Sequence, residues 1–392
     1  MDKAKKVFCY SIIILINFCC LEGISYYLGK YLENKGVLYK AQETFDDFEN
    51  YLTNRHPVLG WVPKGDVDET GSRIIPAFPD PLRFPACVSL YGDSFTWAAE
   101  VDNEQAWSNV LSLLLGCRVA NYGGGGYGTD QAFLRFKLNT QDKSKVVIMG
   151  FLTENIFRNV NQFRNLLYPN HRYALKPRFI LNSDGDLKLI PVPNISKNEY
   201  MLLVKEPERY LKHEYFFLED FGHLNCLEFP YILSVLKCAT HFYILAKIAG
   251  KPSYSDFYQM NHKSGSLQVT NKILIKFYKD AIHEGRIPIV VILPTYDDLQ
   301  YYKKHQKWIF QNIINLLNKD GVEPLNVGED MLQMIGERNL NEFFTDTTNH
   351  LNAEGNKILA NIVYKKIKGK VNCIPAKNAG LRRAVSALSW TN

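Results

Sequence analysis

Several absences narrow the reading first. The chain has eight cysteines, yet none form a Cys-x-x-Cys pair and none fall at metal-ligand spacing. That argues against a structural zinc site and a dithiol redox motif. Cys9, Cys19 and Cys20 lie in the N-terminal apolar segment, and the other five are scattered; all read as small apolar residues. Dense basic runs are missing too. A net charge of +6, spread over 46 basic and 40 acidic residues, leaves no footprint for nucleic acid. The glycine run Gly123–Gly126 is not followed by the Lys-Ser/Thr of a phosphate-binding P-loop. There is no internal repeat, no low-complexity tract, and no small-x-small cleavage site after the N-terminal apolar run. No metal and no cofactor are expected.

What is present begins at the N-terminus. Lys3, Lys5 and Lys6 precede an apolar run from Val7 to Leu21, in which Asn17 is the strongly polar residue. This is about the minimum for a membrane span, and it lengthens if Gly23 to Leu28 is counted. An uncleaved anchor is favoured over a removed signal peptide, with a buried soluble helix as the alternative. The lysines should stay cytoplasmic. The expected location is therefore a single pass through the inner (cytoplasmic) membrane, with the remainder on the periplasmic or extracytoplasmic side. The expected organisation is an anchor at 1–28, a stalk and leading loop at 29–85, a main domain at 86–370 with an insertion at about 160–262, and a tail at 371–392.

From residue 86, apolar strands alternate with helices, which indicates a parallel sheet covered on both faces. Strands are predicted at 86–91, 118–121, 146–151 and 287–293. Helices are predicted at 103–115, 129–138, 267–283 (with Ile273, Leu274, Phe277 and Ile282 inward), 297–317 and 353–367. The insertion breaks this rhythm. In it, Asp184-Gly185 between two apolar segments signals a hairpin. The insertion is read as a cap on the active face. With 46% hydrophobic and 22% charged residues, the chain has an ordinary globular mix able to bury such a core.

The chemistry gathers around Tyr91-Gly92-Asp93-Ser94-Phe95-Thr96, which directly follows the first strand. Reactive groups in open α/β sheets collect at the carboxyl ends of strands. A serine there becomes a nucleophile when a base reaches it, and His350 is the candidate base. The run Asn121-Tyr122-Gly123-Gly124-Gly125-Gly126-Tyr127-Gly128 lets backbone N–H groups approach a substrate closely. Asp93 is expected to bond local backbone rather than substrate. Trp97, Trp107 and Tyr127 are read as packing residues, with sugar stacking as the other use.

Together, Gly92-Asp93-Ser94-Phe95-Thr96, the Asn121–Gly128 segment running into Thr129-Asp130-Gln131, and His350-Leu351-Asn352 with Gly355-Asn356 resemble the SGNH (GDSL-type) hydrolase superfamily. The chain looks closest to membrane-anchored bacterial members, which often carry a similar Leu59-Gly60-Trp61-x-Pro63 segment. The resemblance covers roughly 56–368. It implies a flavodoxin-like three-layer α/β/α sandwich and a serine esterase acting through an acyl-enzyme on short acyl esters. O-acetyl groups of cell-surface polysaccharide are the expected target, so the partners are an acylated small molecule or glycan and the membrane. The rivals are an O-acyltransferase using the same serine and histidine, and an inactive, tethered glycan-binding protein.

By the same resemblance Ser94 is the nucleophile and His350 the general base. Ser94 and Gly126 give backbone oxyanion donors. Two positions depart from the family pattern. In Gly150-Phe151-Leu152-Thr153-Glu154-Asn155 the third oxyanion donor aligns with Glu154, and a shift of one residue gives Asn155, which is the choice made here. The family's acid three residues before the histidine is Thr347 in this chain. Asp346, one residue further back, is the choice for orienting His350; otherwise the site is a Ser–His dyad.

Overall fold

Apolar strands that alternate with helices can satisfy their backbone only by pairing side by side, with helices laid over both faces. That is the arrangement in the computed structural model, which describes residues 3–35, 37–38, 46–168, 175–216, 227–346 and 348–371. Five strands, β1 (Val88–Tyr91), β2 (Val119–Asn121), β3 (Val146–Leu152), β6 (Ile287–Leu293) and β7 (Leu325–Asn326), form a parallel sheet in the order β2-β1-β3-β6-β7. β4 (Arg178–Leu181) and β5 (Leu187–Ile190) form a separate antiparallel hairpin. Every residue of β1, β2 and β3 is buried, as helices on both faces require. Thr129–Leu138 and Ser266–His283 pack together as one helical layer; Trp107–Leu115, Val327–Ile335 and Ala353–Ile367 make the other. The result is a three-layer α/β/α sandwich with flavodoxin-like strand order, reversing direction between β1 and β3.

The chain divides into two compact units. One comprises Met1–Arg55, Asn161–Lys176 and Val192–Ser253; the other comprises His56–Val160, Pro177–Pro191 and Tyr254–Asn392 and holds the sheet. Within the 160–262 segment the hairpin and the residues from Tyr254 on thus group with the sheet, while Asn161–Lys176 and Val192–Ser253 do not. Phe179 of β4 packs against Phe133, ring centroids 5.9 Å apart, and Arg178 Nη1 donates to the Val160 carbonyl at 2.7 Å. The expected tail at 371–392 lies, apart from Val371, outside the described residues.

Three expectations need correction. The helix expected over 297–317 is two, Tyr296–His305 and Gln311–Lys319. Gln306 turns left-handed at φ 52°, which lets Trp308 stack on Tyr302 (4.0 Å) and bury beside Phe310. Ile282 is 53% exposed rather than inward. At 100° per residue it lies opposite Ile273, and Ala281 takes the inward position. Finally, Cys87 and Cys117 are not isolated apolar residues but a disulfide, with Cα atoms 6.3 Å apart.

That bridge joins the residues just before β1 and β2, reinforcing the Cys87 N–H to Arg118 carbonyl bond of 3.0 Å. Spacing gave no hint of it, because the partners stand 30 residues apart and only strand pairing brings them together. Loop-closure entropy for a loop of this length gives the bridge about 3–4 kcal/mol. The double variant Cys87→Ser/Cys117→Ser is expected to lose stability on that scale in denaturant unfolding; a loss below about 1 kcal/mol would mean that the loop is already ordered in the unfolded chain.

Candidate active site

In an open α/β sheet the crevice opens where strand order reverses, here beyond the carboxyl ends of β1 and β3. Three loops meet the edge of that crevice: 92–103 after β1, 121–128 after β2 and 153–159 after β3. All belong to the sheet-bearing unit.

The first loop makes a tight turn into the short helix Ser94–Trp97. Asp93 caps it, its carboxylate accepting from the Phe95 N–H at 3.0 Å. Asp93 is fully buried, and burial pushes its pKa up to about 6 against the opposing pull of Arg158, 3.3 Å away. It is a fastener of the turn, as the sequence suggests. Ser94 is 8% exposed, and His350 Nε2 lies 2.9 Å from its Oγ. Thr345 N–H donates to the His350 carbonyl at 2.8 Å, closing the loop that presents the imidazole, and the Phe95 ring lies 5.1 Å from it.

The other face of His350 differs from the expectation. Asp346 is exposed and bonds no described residue, while Thr347 lies outside the described residues. The carboxylate facing Nδ1 belongs to Glu100, with Oε1 3.5 Å away. Thr348 stands between them: Nδ1 lies 2.8 Å from Thr348 Oγ1, which donates to Glu100 Oε2 at 2.5 Å. Since the Thr348 hydroxyl hydrogen goes to Glu100, Nδ1 is the protonated nitrogen and Nε2 is left to accept from Ser94. Glu100 lies six residues after the serine, whereas family analogy directs attention to residues just before the histidine.

Glu100 is held at a cost. It and Ala98 have left-handed backbone, with φ of 69° and 61°, a region that side chains with a Cβ rarely adopt. Arg73 fixes the loop. Its buried guanidinium donates to the carbonyls of Trp97 and Ala98 at 2.6 Å and of Val101 at 2.5 Å, and its Nε reaches Asn103 Oδ1 at 2.6 Å. One planar five-donor group thus gathers the segment that carries Glu100.

The glycine loop is fastened to the nucleophile turn by Asn121. Its Nδ2 donates to the Thr96 carbonyl at 2.7 Å, and its Oδ1 accepts from Gly123 N–H at 3.0 Å. Gly123 must be glycine, because a Cβ there would sit 2.5 Å from Trp97 N and 2.9 Å from the Asp93 carbonyl. Trp61 pins the loop from outside, its Nε1 donating to the Gly125 carbonyl at 2.8 Å and its own carbonyl accepting from Tyr127 Oη at 2.7 Å. Trp107 and Tyr127 are fully buried packing residues. The backbone N–H groups of Ser94 and Gly126 donate to no described residue.

After β3, Arg158 separates the two candidates for the third donor. Its Nη2 donates to Glu154 Oε1 at 2.6 Å and its Nη1 to Asn155 Oδ1 at 3.1 Å. Glu154 is thereby paired with a cation. The Asn155 oxygen is occupied as an acceptor, and its Nδ2 is buried with no hydrogen-bond partner among the described residues. An orphaned buried amide costs on the order of 1–3 kcal/mol and leaves Nδ2 able to donate to a bound group.

Electrostatics favour a neutral imidazole. Burial holds His350 below the ordinary value of 6.5; Glu100 and Glu154 pull the other way and Arg158 assists. The active form of a general base is the unprotonated one. For a reaction that uses His350 as its base, kcat/KM is therefore expected to rise through an ionisation below pH 6.5 and stay flat through neutrality. Because Glu100 raises this value, Glu100→Gln should move the acid limb to lower pH. A limb that moves upward would show that Glu100 does not act on the histidine. Among the described residues no cluster of His, Cys, Asp or Glu is arranged to hold a metal.

No protein-family model and no curated protein matches the chain. Solved structures similar to it include a lipolytic protein of the G-D-S-L family from Desulfitobacterium hafniense DCB-2 (11% identity, TM-score 0.34, 71% of this chain and 97% of that one). Another is a lipase/acylhydrolase from Enterococcus faecalis (11%, 0.36, 74% and 98%). A third is LAE5, an alpha/beta hydrolase enzyme from the metagenome of Lake Arreo, Spain (12%, 0.35, 74% and 98%). Likenesses at such scores carry no weight for function, which is read below from the side chains themselves.

Proposed function

We propose that the chain is a serine ester hydrolase of the SGNH type, working through an acyl-enzyme. The observation that carries this reading is the 2.9 Å contact between Ser94 Oγ and His350 Nε2. His350 takes the serine proton as Oγ attacks the ester carbonyl, then gives it to the leaving alcohol; water repeats the cycle to release the acid. Glu100, through Thr348, keeps the Nδ1–H tautomer and steadies the imidazolium. The N–H groups of Ser94 and Gly126 and the Asn155 amide are the proposed donors to the oxyanion.

The proposed substrates are short acyl esters, O-acetyl groups of surface glycans among them. Acyl transfer to a sugar hydroxyl uses the same acyl-enzyme. The helix Lys3–Asn34 is long and apolar enough to cross a membrane, with a mean hydropathy of 2.1 over its most apolar window. It could equally be a signal sequence by that measure; we read it as an uncleaved anchor, with the other residues outside the cytoplasm. The Cys87–Cys117 disulfide supports an oxidising compartment. The inactive, glycan-binding alternative is motivated by Glu154 and Thr347 at the donor and acid positions and gains from Asp346 making no bond to His350; the Glu100 carboxylate facing Nδ1 and the pairing of Glu154 with Arg158 support the catalytic reading.

The test is labelling with a fluorophosphonate during p-nitrophenyl acetate turnover. Loss of turnover in step with one adduct per chain, mapped to Ser94, is expected; a labelled protein that still hydrolyses the ester sinks the reading. Adding sugar acceptors separates hydrolysis from transfer by the fate of the acetyl group. For the oxyanion site, Asn155→Ala should lower kcat by about 10²–10³-fold with little change in KM, the usual effect of removing one such donor. An unchanged kcat would return Asn155 to a structural role.

A further inference from the structure

Of the three proposed oxyanion donors, Gly126 is the one whose direction no side chain of its own fixes. The Tyr127 N–H donates to the Gly124 carbonyl at 3.1 Å, which closes a four-residue turn with Gly125 and Gly126 at its centre. Gly126 has a φ of 72° and Gly125 lies outside the left-handed region, the combination of a type II turn. The type I turn closes the same hydrogen bond and differs chiefly in that its central peptide, here between Gly125 and Gly126, is turned over. Two glycines admit either form, since neither brings a Cβ that excludes one of them. The choice matters to the chemistry, because the C=O and N–H of a trans peptide point in opposite directions. One form offers the Gly126 N–H to a given side, and the other offers the Gly125 carbonyl.

Trp61 takes hold of that peptide. Its Nε1 donates to the Gly125 carbonyl at 2.8 Å, so the Gly126 N–H points away from the indole, and it donates to no described residue. The loop's other fastenings are to the nucleophile turn: Gly124 N–H donates to the Gly92 carbonyl at 3.0 Å, and Gly123 lies against Trp97 N. The indole is itself held without help from the glycines. His56 and Gly60 exchange backbone hydrogen bonds of 2.9 Å in both directions, and Gln131 Nε2 donates to the Leu59 carbonyl at 2.7 Å. Tyr127 Oη donates to the Trp61 carbonyl at 2.7 Å, and the two rings meet edge-on with centroids 5.9 Å apart. A donor fixed on one side of a peptide that is free to turn over selects one of its two orientations.

We propose that Trp61 is a positioning residue for the oxyanion site: its indole N–H holds the Gly125–Gly126 peptide in the type II orientation, which keeps the Gly126 N–H, and not the Gly125 carbonyl, turned to the oxyanion. A carbonyl oxygen in that place would repel the negative charge that develops as Ser94 attacks the ester. Trp61 acts through the peptide and takes no part in the proton transfers. The proposal rests on the ester-hydrolase reading, and its test separates the two.

Two replacements remove the N–H and keep an aromatic ring: Trp61→Phe, and benzothienylalanine in place of Trp61, which also keeps the double ring. Each is made in the full chain with and without Gly125→Pro, and p-nitrophenyl acetate turnover is measured beside thermal unfolding. Proline followed by glycine favours the type II turn by itself. A Cβ at Gly125 meets nothing within 4 Å and its N–H donates to no described residue, so proline fits there. Both replacements are expected to lower kcat by about 3–10-fold with KM unchanged, the range for losing one hydrogen bond. With Gly125→Pro present the same replacements should cost less than about twofold, the coupling that a double-mutant cycle reads. A kcat that benzothienylalanine leaves unchanged refutes the proposal. So does a rise in KM with kcat kept, which would put the indole against the substrate. A fall of equal size with and without Gly125→Pro also refutes it and makes Trp61 a packing residue. If Ser94→Ala still turns the ester over, the ester-hydrolase reading fails and the proposal with it; if Ser94→Ala is inactive and the cycle shows no coupling, the positioning role alone fails.

Discussion

Replacing Ser94 by alanine is expected to lower kcat/KM for p-nitrophenyl acetate by about 10⁴–10⁶-fold, and His350→Ala to cost nearly as much, since members of such a pair act as a unit. The double variant should be little worse than either single one. On the proposed mechanism the nucleophile is lost in the first case and its activation in the second. The 2.9 Å contact makes each useless without the other. Neither change should unfold the protein: Ser94 Oγ bonds only His350 among the described residues, and the Asp93 cap and the Trp97 N–H to Asp93 carbonyl bond of 2.8 Å hold the turn without it. Circular dichroism and thermal unfolding therefore accompany the assay. Equal rates in all three folded proteins would exclude this site as the source of any esterase activity.

The second large effect separates two acids. Glu100→Gln should lower kcat by about 10²–10⁴-fold, because the amide cannot steady the imidazolium and disturbs its tautomer. Thr348→Val should fall in the same direction, as it removes the hydroxyl between Nδ1 and the carboxylate. Asp346→Asn, a change at an exposed residue, should leave kcat within about twofold, as surface charges contribute little. The reverse ranking would restore Asp346 and show that the Glu100 contact is incidental. Arg73→Lys gives a further check on the loop: an ammonium carries its three donors on one atom and cannot span the three carbonyls and the Asn103 oxygen that three guanidinium nitrogens reach, so its kcat should move toward that of Glu100→Gln.

Much of this was legible in the amino-acid order. Strands β1, β3 and β6 are apolar runs bounded by turn residues, and the helices over 129–138 and 353–367 follow their periodicity to the residue. The serine turn, the glycine loop and the distant histidine announce themselves by residue type, because a tight turn at a strand end needs small residues and a helix cap. Burial of Asp93 as a local fastener followed from the same chemistry. Periodicity was a weaker guide where a single residue shifts the face, as at Ile282, and where a buried Trp308 breaks a helix that its polar surface would have continued.

Tertiary structure alone decided the relations between distant segments. Cys87 and Cys117 pair because β1 and β2 run side by side. Glu100 reaches His350 because Arg73, 27 residues upstream of it in sequence, draws a left-handed loop across the β1 end. Arg158 assigns the oxygen of Asn155 and the carboxylate of Glu154 to itself, a division that no alignment of the two residues could settle. Sequence specifies local conformation through near-neighbour sterics and hydrogen bonds. Which acid faces an imidazole depends on where several loops end in space, and that is set by the sheet beneath them.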